Sequence, residues 1–329
     1  MSYKLPDKLR TTVVGSYPYF PEALKAFQLR RRGDRGLEYE SLVREATRKA
    51  IMDYLEAGID ILADGEQRRE DMAVFFAEEL EGFEISEPVR IFDNVYFRKP
   101  VIVGKITWRR EILVDDWRYA SSLTAGRPMK VTITGPYTMY SWSFDKFYGD
   151  MRRAILDMAE AFRREIEALV KAGATFIQID EPALSTRAEK RDVLIAGEAF
   201  EIMLGGLSNV KRITHICYGR MERLFPEILD FPIDQYDFET KNRNYELLDV
   251  LKEYSFDKEL ALGVIDVHTS RIETVEEIMD GIAKGLELLP PEKLYVKPDC
   301  GLKRLKRETA LAKLRNMVEA ARRAREELA

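Results

Sequence analysis

Only two cysteines and two histidines occur among the 329 residues, and their placement is the strongest hint of chemistry in the chain. His215-Ile216-Cys217 sets an imidazole and a thiol two residues apart. On an extended strand, residues so spaced point to the same face. Imidazole nitrogen and thiolate sulfur suit a borderline-soft ion such as Zn²⁺, bound at about 2.0–2.3 Å. Alone, the pair is a weak signal and reads more readily as a buried cysteine beside a satisfied core histidine. Cys300 changes the balance, because it lies in the strand-to-loop turn Pro298-Asp299-Cys300-Gly301 and not on an apolar stripe. Where separate strand ends share one mouth, Glu239, in Phe238-Glu239-Thr240, adds a carboxylate. His215, Cys217, Glu239 and Cys300 then form a four-ligand set that uses both cysteines. Cys217 and Cys300 are 83 residues apart, too far for a zinc ribbon or finger, so the fold must assemble the site. Two thiolates and a carboxylate make such an ion electron-rich. That is poor for activating water but suited to holding an external thiol as its thiolate.

The elements that must carry these residues follow from periodicity. Short β-branched runs predict strands at Thr11–Ser16, Ile59–Asp64, Met129–Gly135, Phe176–Glu181, Arg212–Cys217, Ile233–Glu239, Leu260–Asp266 and Leu294–Asp299. Amphipathic segments with a period near 3.6 predict helices at Glu38–Glu56, Arg152–Ala172, Thr274–Leu289 and Glu308–Leu328. Eight strands alternating with helices are the pattern of a parallel (β/α)₈ TIM barrel, here one domain spanning residues 1–329. Gly82–Trp108 breaks the rhythm, and predicts an inserted β-hairpin after the second strand, at about residues 84–108. A doubly wound open sheet is the structural alternative. It lacks support for a dinucleotide site, since no GxGxxG follows the first strand. Barrel chemistry sits at the carboxyl ends of strands. Ser16, Glu66, Asp180, Cys217, Glu239, His268 and Cys300 all fall at or just past such ends.

Composition narrows the classes. With 46% hydrophobic and 33% charged residues, the chain can bury a sizeable core and is not disordered. A net charge of −5 argues against nucleic acid as partner, because phosphate binding rests on clustered Lys and Arg. The run Arg30-Arg31-Arg32 is followed by Asp34 and Glu38 and reads as a solvated face. No apolar stretch is long enough for a membrane span, and the opening MSYKLPDKLR has no apolar signal core. The expectation is a cytoplasmic protein with free cysteines.

Several stretches, taken together and in order, resemble the cobalamin-independent methionine synthase family, in its catalytic C-terminal barrel. They are Thr12-Val13-Val14-Gly15-Ser16, Asp64-Gly65-Glu66, Gly135-Pro136, Trp142-Ser143-Phe144, Gln178-Ile179-Asp180-Glu181-Pro182-Ala183-Leu184, His215-Ile216-Cys217, Asp266-Val267-His268 and Lys297-Pro298-Asp299-Cys300-Gly301-Leu302-Lys303. The resemblance runs from about residue 10 to about residue 325. It implies zinc-dependent transfer of a methyl group to homocysteine, with His215, Cys217, Glu239 and Cys300 as zinc ligands. It further implies that Val14, Gly15 and Ser16 hold the homocysteine carboxylate and that Glu66 and Asp180 take its ammonium group. Trp142 would line the methyl-donor side, and His268 would protonate the leaving group.

The sequence also departs from the family. Two-barrel members are longer, and their hairpin carries an Arg-Cys pair toward the folate where this chain has Val95-Tyr96. An acidic residue expected after Asp180 is Thr186. The zinc and homocysteine sides are thus kept while the folate side is altered. A methyl-corrinoid, free or on a corrinoid protein, and a methyl-pterin are equally admissible donors. Rival readings are a zinc methyltransferase acting on coenzyme M, a metal-free decarboxylase of the porphyrinogen type, and a non-catalytic zinc-stabilised barrel.

Overall fold

Short apolar runs flanked by turns pair as strands, and the longer amphipathic runs wind as helices between them. The computed structural model describes residues 3–92 and 95–328, and no side chain between 91 and 96. Val95 and Tyr96 therefore lie outside the described side chains. The strands are β1 (Arg10–Thr11), β2 (Glu81–Ile85), β3 (Val89–Phe92), β4 (Val95–Phe97), β5 (Pro100–Thr107) and β6 (Lys130–Thr134). They continue as β7 (Phe144–Asp145), β8 (Phe176–Asp180), β9 (Lys211–Ile216), β10 (Gln235–Phe238), β11 (Glu259–Ile265) and β12 (Leu294–Pro298). Seven form one parallel sheet in the order β1-β12-β11-β10-β9-β8-β6. The architecture is α/β, with this sheet curled into a half-barrel. Isolated parallel bridges Thr12–Ile61, Ser16–Gly65 and Leu62–Met129 tie residues 59–65 to both of its edges.

Six predicted strands appear with ends shifted by one or two residues. Two are corrected. The strand predicted at Thr11–Ser16 is only the two-residue β1, and Ile59–Asp64 makes isolated bridges instead of a ladder. Asp60 accounts for part of this. Its carboxylate accepts from the Thr11 N–H at 2.7 Å and from the Thr11 hydroxyl at 2.9 Å, replacing ladder bonds between these segments. The four predicted helices form at Leu37–Ala57, Met151–Ala172, Val275–Leu286 and Arg307–Glu327. Asp150 caps the second by accepting from the Arg152 and Arg153 N–H groups, and Gly173 ends it in the left-handed region. Among the described residues no helix is long and apolar enough to cross a membrane.

A second layer is built by the chain between the 59–65 segment and β6, with β7 joining it from beyond β6. β2 and β5 pair antiparallel, β7 adds to β5, and β3 pairs antiparallel with β4. Glu165, buried on the helix Met151–Ala172, anchors the chain that leaves this layer. Its carboxylate accepts from Trp108 Nε1 at 2.8 Å, from the Ile112 N–H at 2.9 Å and from the Leu113 N–H at 2.7 Å. Burial raises its pKa, and these three donors counter that cost. Glu165→Ala would leave the donors unsatisfied. We expect it to lower the unfolding free energy by about 3 kcal/mol in urea denaturation. A loss below about 0.5 kcal/mol would contradict the anchoring role.

Candidate active site

Because the strands are parallel, their carboxyl ends lie on one side of the sheet, and the predicted site residues follow from those ends. His215 is the penultimate residue of β9 and Cys217 comes directly after it. Cys300 comes two residues after β12. The ligand atoms of these three side chains lie within 4.8 Å of one another. Cys300 Sγ is 3.5 Å from Cys217 Sγ and 3.6 Å from His215 Nε2, and both cysteines are free. Zinc–sulfur bonds of about 2.3 Å at a tetrahedral angle hold two sulfurs about 3.8 Å apart. The donor set and its spacing therefore fit a soft or borderline ion with one nitrogen and two sulfur ligands.

Glu239, directly after β10, stands outside this trio. Its carboxylate accepts from the Tyr218 N–H at 2.6 Å and from Asn242 Nδ2 at 2.8 Å, and meets His268 Nε2 at 3.2 Å. Burial opposes its ionisation, but these three partners prevail and lower its pKa. Asp299 fixes the geometry between the two loops. It accepts from the N–H groups of Thr240, Lys241 and Asn242 at 2.9, 2.8 and 2.6 Å, clamping the turn after β10 against the turn that carries Cys300. Gly263 makes room for this clamp, since a Cβ there would stand 2.0 Å from Asp299 Oδ1.

The two thiols are not equivalent. Cys217 is 3% exposed, and its hydrogen bond to Cys300 together with burial raises its pKa. The same hydrogen bond, with His215 beside it, favours the thiolate at Cys300 against burial. Burial pulls His215 down, but Asp237 and Cys300 outweigh it and raise the imidazole to about 10.

The trio forms one wall of a cavity of about 560 Å³. Val14, Ser16, Glu66 and Asp180 line it as well. Glu66 has φ of 53°, a strained value for a non-glycine residue and one found often at functional sites. It reaches the cavity past Gly15, where a Cβ would stand 2.5 Å from Glu66 Oε1. Its carboxylate accepts from the Thr132 hydroxyl at 2.9 Å. Asp180 accepts from Gln178 Nε2 at 2.7 Å. Burial, and then the charge of Glu66, raise Asp180 to about 7. Trp142 and Phe97 supply apolar surface, and Arg98, Lys99, Arg187, Lys303 and Arg304 line the cavity together with the acidic Glu70 and Asp71.

Of the predicted residues, Val14, Ser16, Glu66, Trp142, Asp180, His215, Cys217 and Cys300 share this cavity. Gly15 backs it, with its carbonyl accepting from the Tyr54 hydroxyl at 3.2 Å. His268 is not among its lining residues: it packs edge-on against Tyr218 and meets Glu239. Sequence reasoning missed Lys130, Asp237 and Lys297, three charged residues buried behind the trio. Their signal was a charged residue inside otherwise apolar strand runs.

The stretch from residue 9 to residue 323 matches the family described as the catalytic domain of cobalamin-independent synthase. The chain belongs to the cobalamin-independent methionine synthase family. Within and around this family of methyltransferases, several proteins are similar to it. The methionine synthase of Saccharolobus solfataricus is 44% identical over 326 residues, covering 99% of this chain and 97% of its own. That of Sulfolobus acidocaldarius is 41% identical over 321 residues, covering 97% and 93%. A B12-independent methionine synthase from a Shewanella species, solved in complex with selenomethionine, superposes with a TM-score of 0.85 at 28% identity, over 98% of this chain and 99% of that one. A methyltransferase from Methanosarcina mazei shares the fold, with a TM-score of 0.63 at 15% identity over 97% and 94%.

For this member of the family, the asymmetry of the thiols is directly measurable. With brief alkylation of metal-free protein, peptide mass spectrometry should show Cys300 modified well before Cys217. Equal rates, or Cys217 first, would refute the assigned thiolate.

Proposed function

We propose that the protein transfers a methyl group to the thiol of homocysteine and so makes methionine. One observation carries this reading: the donor trio and the acidic pair Glu66 and Asp180 line the same cavity. An amino-acid thiol needs both, a place for its sulfur and a place for its ammonium group. The methionine synthases at 41–44% identity and the selenomethionine in the Shewanella structure support the same assignment.

In this reading His215, Cys217 and Cys300 hold a zinc ion, with Glu239 as the fourth ligand. Zinc bound there supplies the Lewis acidity that keeps an incoming thiol ionised at neutral pH. Glu66 and Asp180 receive the ammonium group through charge-assisted hydrogen bonds. Backbone N–H groups of the Val14–Gly15–Ser16 turn take the carboxylate. These contacts aim the thiolate at the donor methyl, and orientation of two substrates lowers the barrier substantially. The new S–C bond forms as the methyl leaves its donor, whose bonding electrons stay with the leaving group.

The donor is a methyl-corrinoid or a methyl-pterin. Trp142 and Phe97 offer a surface for a flat ring, and the lining cations Arg98, Lys99, Arg187, Lys303 and Arg304 suit the anionic groups that both classes carry. A departing pterin nitrogen needs a proton, and His268 is the acid we assign to it, at the edge of the site beside Glu239. A corrinoid leaves without one. We further propose that residues 59–65 complete the curled sheet as a closed (β/α)₈ barrel, that the β2–β5 segment is a hairpin inserted after its second strand, and that residues 1–329 act as one domain in the cytoplasm.

Anaerobic assays of zinc-loaded protein with homocysteine, and either methylcobalamin or a polyglutamylated methyl-folate, test the proposal. Methionine should form with at least one donor and stop when a chelator removes the metal. Zinc-replete protein inactive with both donors would overturn the homocysteine assignment. Separately, Glu66→Gln and Asp180→Asn should each raise KM for homocysteine about 10- to 100-fold, the range for losing a hydrogen bond to a charged group. An unchanged KM in both variants would remove the acidic pair from the substrate site.

A further inference from the structure

The mechanism makes no use of Asp237, yet this carboxylate is fully buried directly behind the site. Its Oδ1 lies 2.7 Å from His215 Nδ1 and 2.5 Å from Lys297 Nζ, and its Oδ2 lies 3.7 Å from Lys130 Nζ. Both lysines are themselves buried. Lys297 also donates to the Asp299 carbonyl at 2.9 Å, and Lys130 donates to Gln178 Oε1 at 2.7 Å. Gln178 Nε2 in turn reaches Asp180 Oδ1 at 2.7 Å and the Val14 carbonyl at 2.9 Å.

A carboxylate removed from water is stable only when paired, and here two ammonium groups pair with it. An ionised carboxylate only accepts hydrogen bonds, so the ring nitrogen facing it must carry a proton. That nitrogen is Nδ1. The other, Nε2, is the one that faces Cys300 Sγ at 3.6 Å. The backbone supports the same orientation, because Asp237 and His215 are register partners on adjacent parallel strands.

We propose that Asp237 is a positioning residue for metal binding: it holds the His215 ring with Nδ1–H turned to its carboxylate and Nε2 turned to the two sulfurs. Lys297 and Lys130 hold Asp237 in that place. The proposal rests on the reading of His215, Cys217 and Cys300 as a metal site. Carboxylates that orient a ligating histidine in this way typically change metal affinity by about 10- to 100-fold.

Asp237→Asn alone leaves two buried lysines facing a neutral amide, so the test uses Asp237→Asn combined with Lys297→Met. The double variant removes one negative and one positive charge, so the net buried charge is unchanged, and Lys130 keeps its hydrogen bond to Gln178. Zinc affinity, read by chelator competition, should fall about 10- to 100-fold, with thermal unfolding close to that of the unaltered protein. A second buried pair, Lys313 with Glu273 at 2.8 Å, serves as control. Lys313→Met with Glu273→Gln should leave zinc affinity unchanged. Zinc affinity within twofold of the unaltered protein in the Asp237/Lys297 variant would overturn the proposal. So would an equal loss in the control, which would mark a general effect of removing buried charge.

A measurement on unaltered protein decides the matter if the variant does not fold. The chain has only two histidines, so ¹⁵N-histidine NMR of the zinc-loaded protein resolves both rings. His215 should show a slowly exchanging proton on Nδ1 and a metal-shifted Nε2. The reverse assignment would overturn the proposal. Failure of the unaltered protein to bind one zinc per chain would instead sink the underlying reading of the trio.

Discussion

Parallel pairing of β8, β9 and β10 in one unbroken register is the constraint on which the site depends. It places Asp180, His215 and Asp237 in a single row across three strands. Parallel strands deliver their carboxyl ends to the same side. Thr134 on β6 and Ala261 on β11 extend the row. A slip of one residue on any of these strands would turn its side chains to the opposite face and dissolve the arrangement. Asp180, His215 and Asp237 are thus placed by backbone hydrogen bonds before any side chain chooses a rotamer.

That row brings a cost in buried charge. Lys130, Asp237 and Lys297 sit where an α/β sheet ordinarily places valine or isoleucine. Replacing a buried ion pair by apolar residues is often neutral or stabilising, so stability alone does not explain their presence. Burial pulls the Lys130 amine down to about 8, with Asp237 opposing it. Each of these groups is useful for what it faces: Asp237 meets His215, Lys297 meets Asp237 and the turn before Cys300, and Lys130 leads through Gln178 to Asp180. The polar interior links the His215, Cys217 and Cys300 wall of the cavity to Asp180.

The loops complete what the strands begin. Asp299 ties the turn after β10 to the turn after β12, and burial raises it to about 6 although three N–H groups and Lys297 favour its anion. The reach between Cys217 and Cys300 depends on this clamp, since two strands, β10 and β11, lie between β9 and β12 in the sheet. The left-handed turn at Glu66 serves the opposite wall similarly. A glycine at position 15 gives it the space, and the Thr132 hydroxyl holds its carboxylate.

Much of this was legible in the sequence, and for identifiable reasons. Period-two apolar runs and period-3.6 amphipathic runs located six strands and four helices because burial on one face or both imposes those periods. The rarity of Cys and His made the trio visible, because two residues two apart on a strand must share a face whatever the tertiary fold. The sequence was silent where a contact joins distant segments. Nothing local marks Asp60 as the group that replaces ladder bonds near β1, or Asp299 as a clamp across 59 residues to Thr240. Nothing local shows that Glu239 is engaged by Tyr218, Asn242 and His268, or that His268 stands off the cavity. Residue types and their periodicity determined which side chains were available and which face each would take. The register of the sheet and the path of its loops decided which of them meet, because those distances are set by backbone hydrogen bonds between strands far apart in the chain.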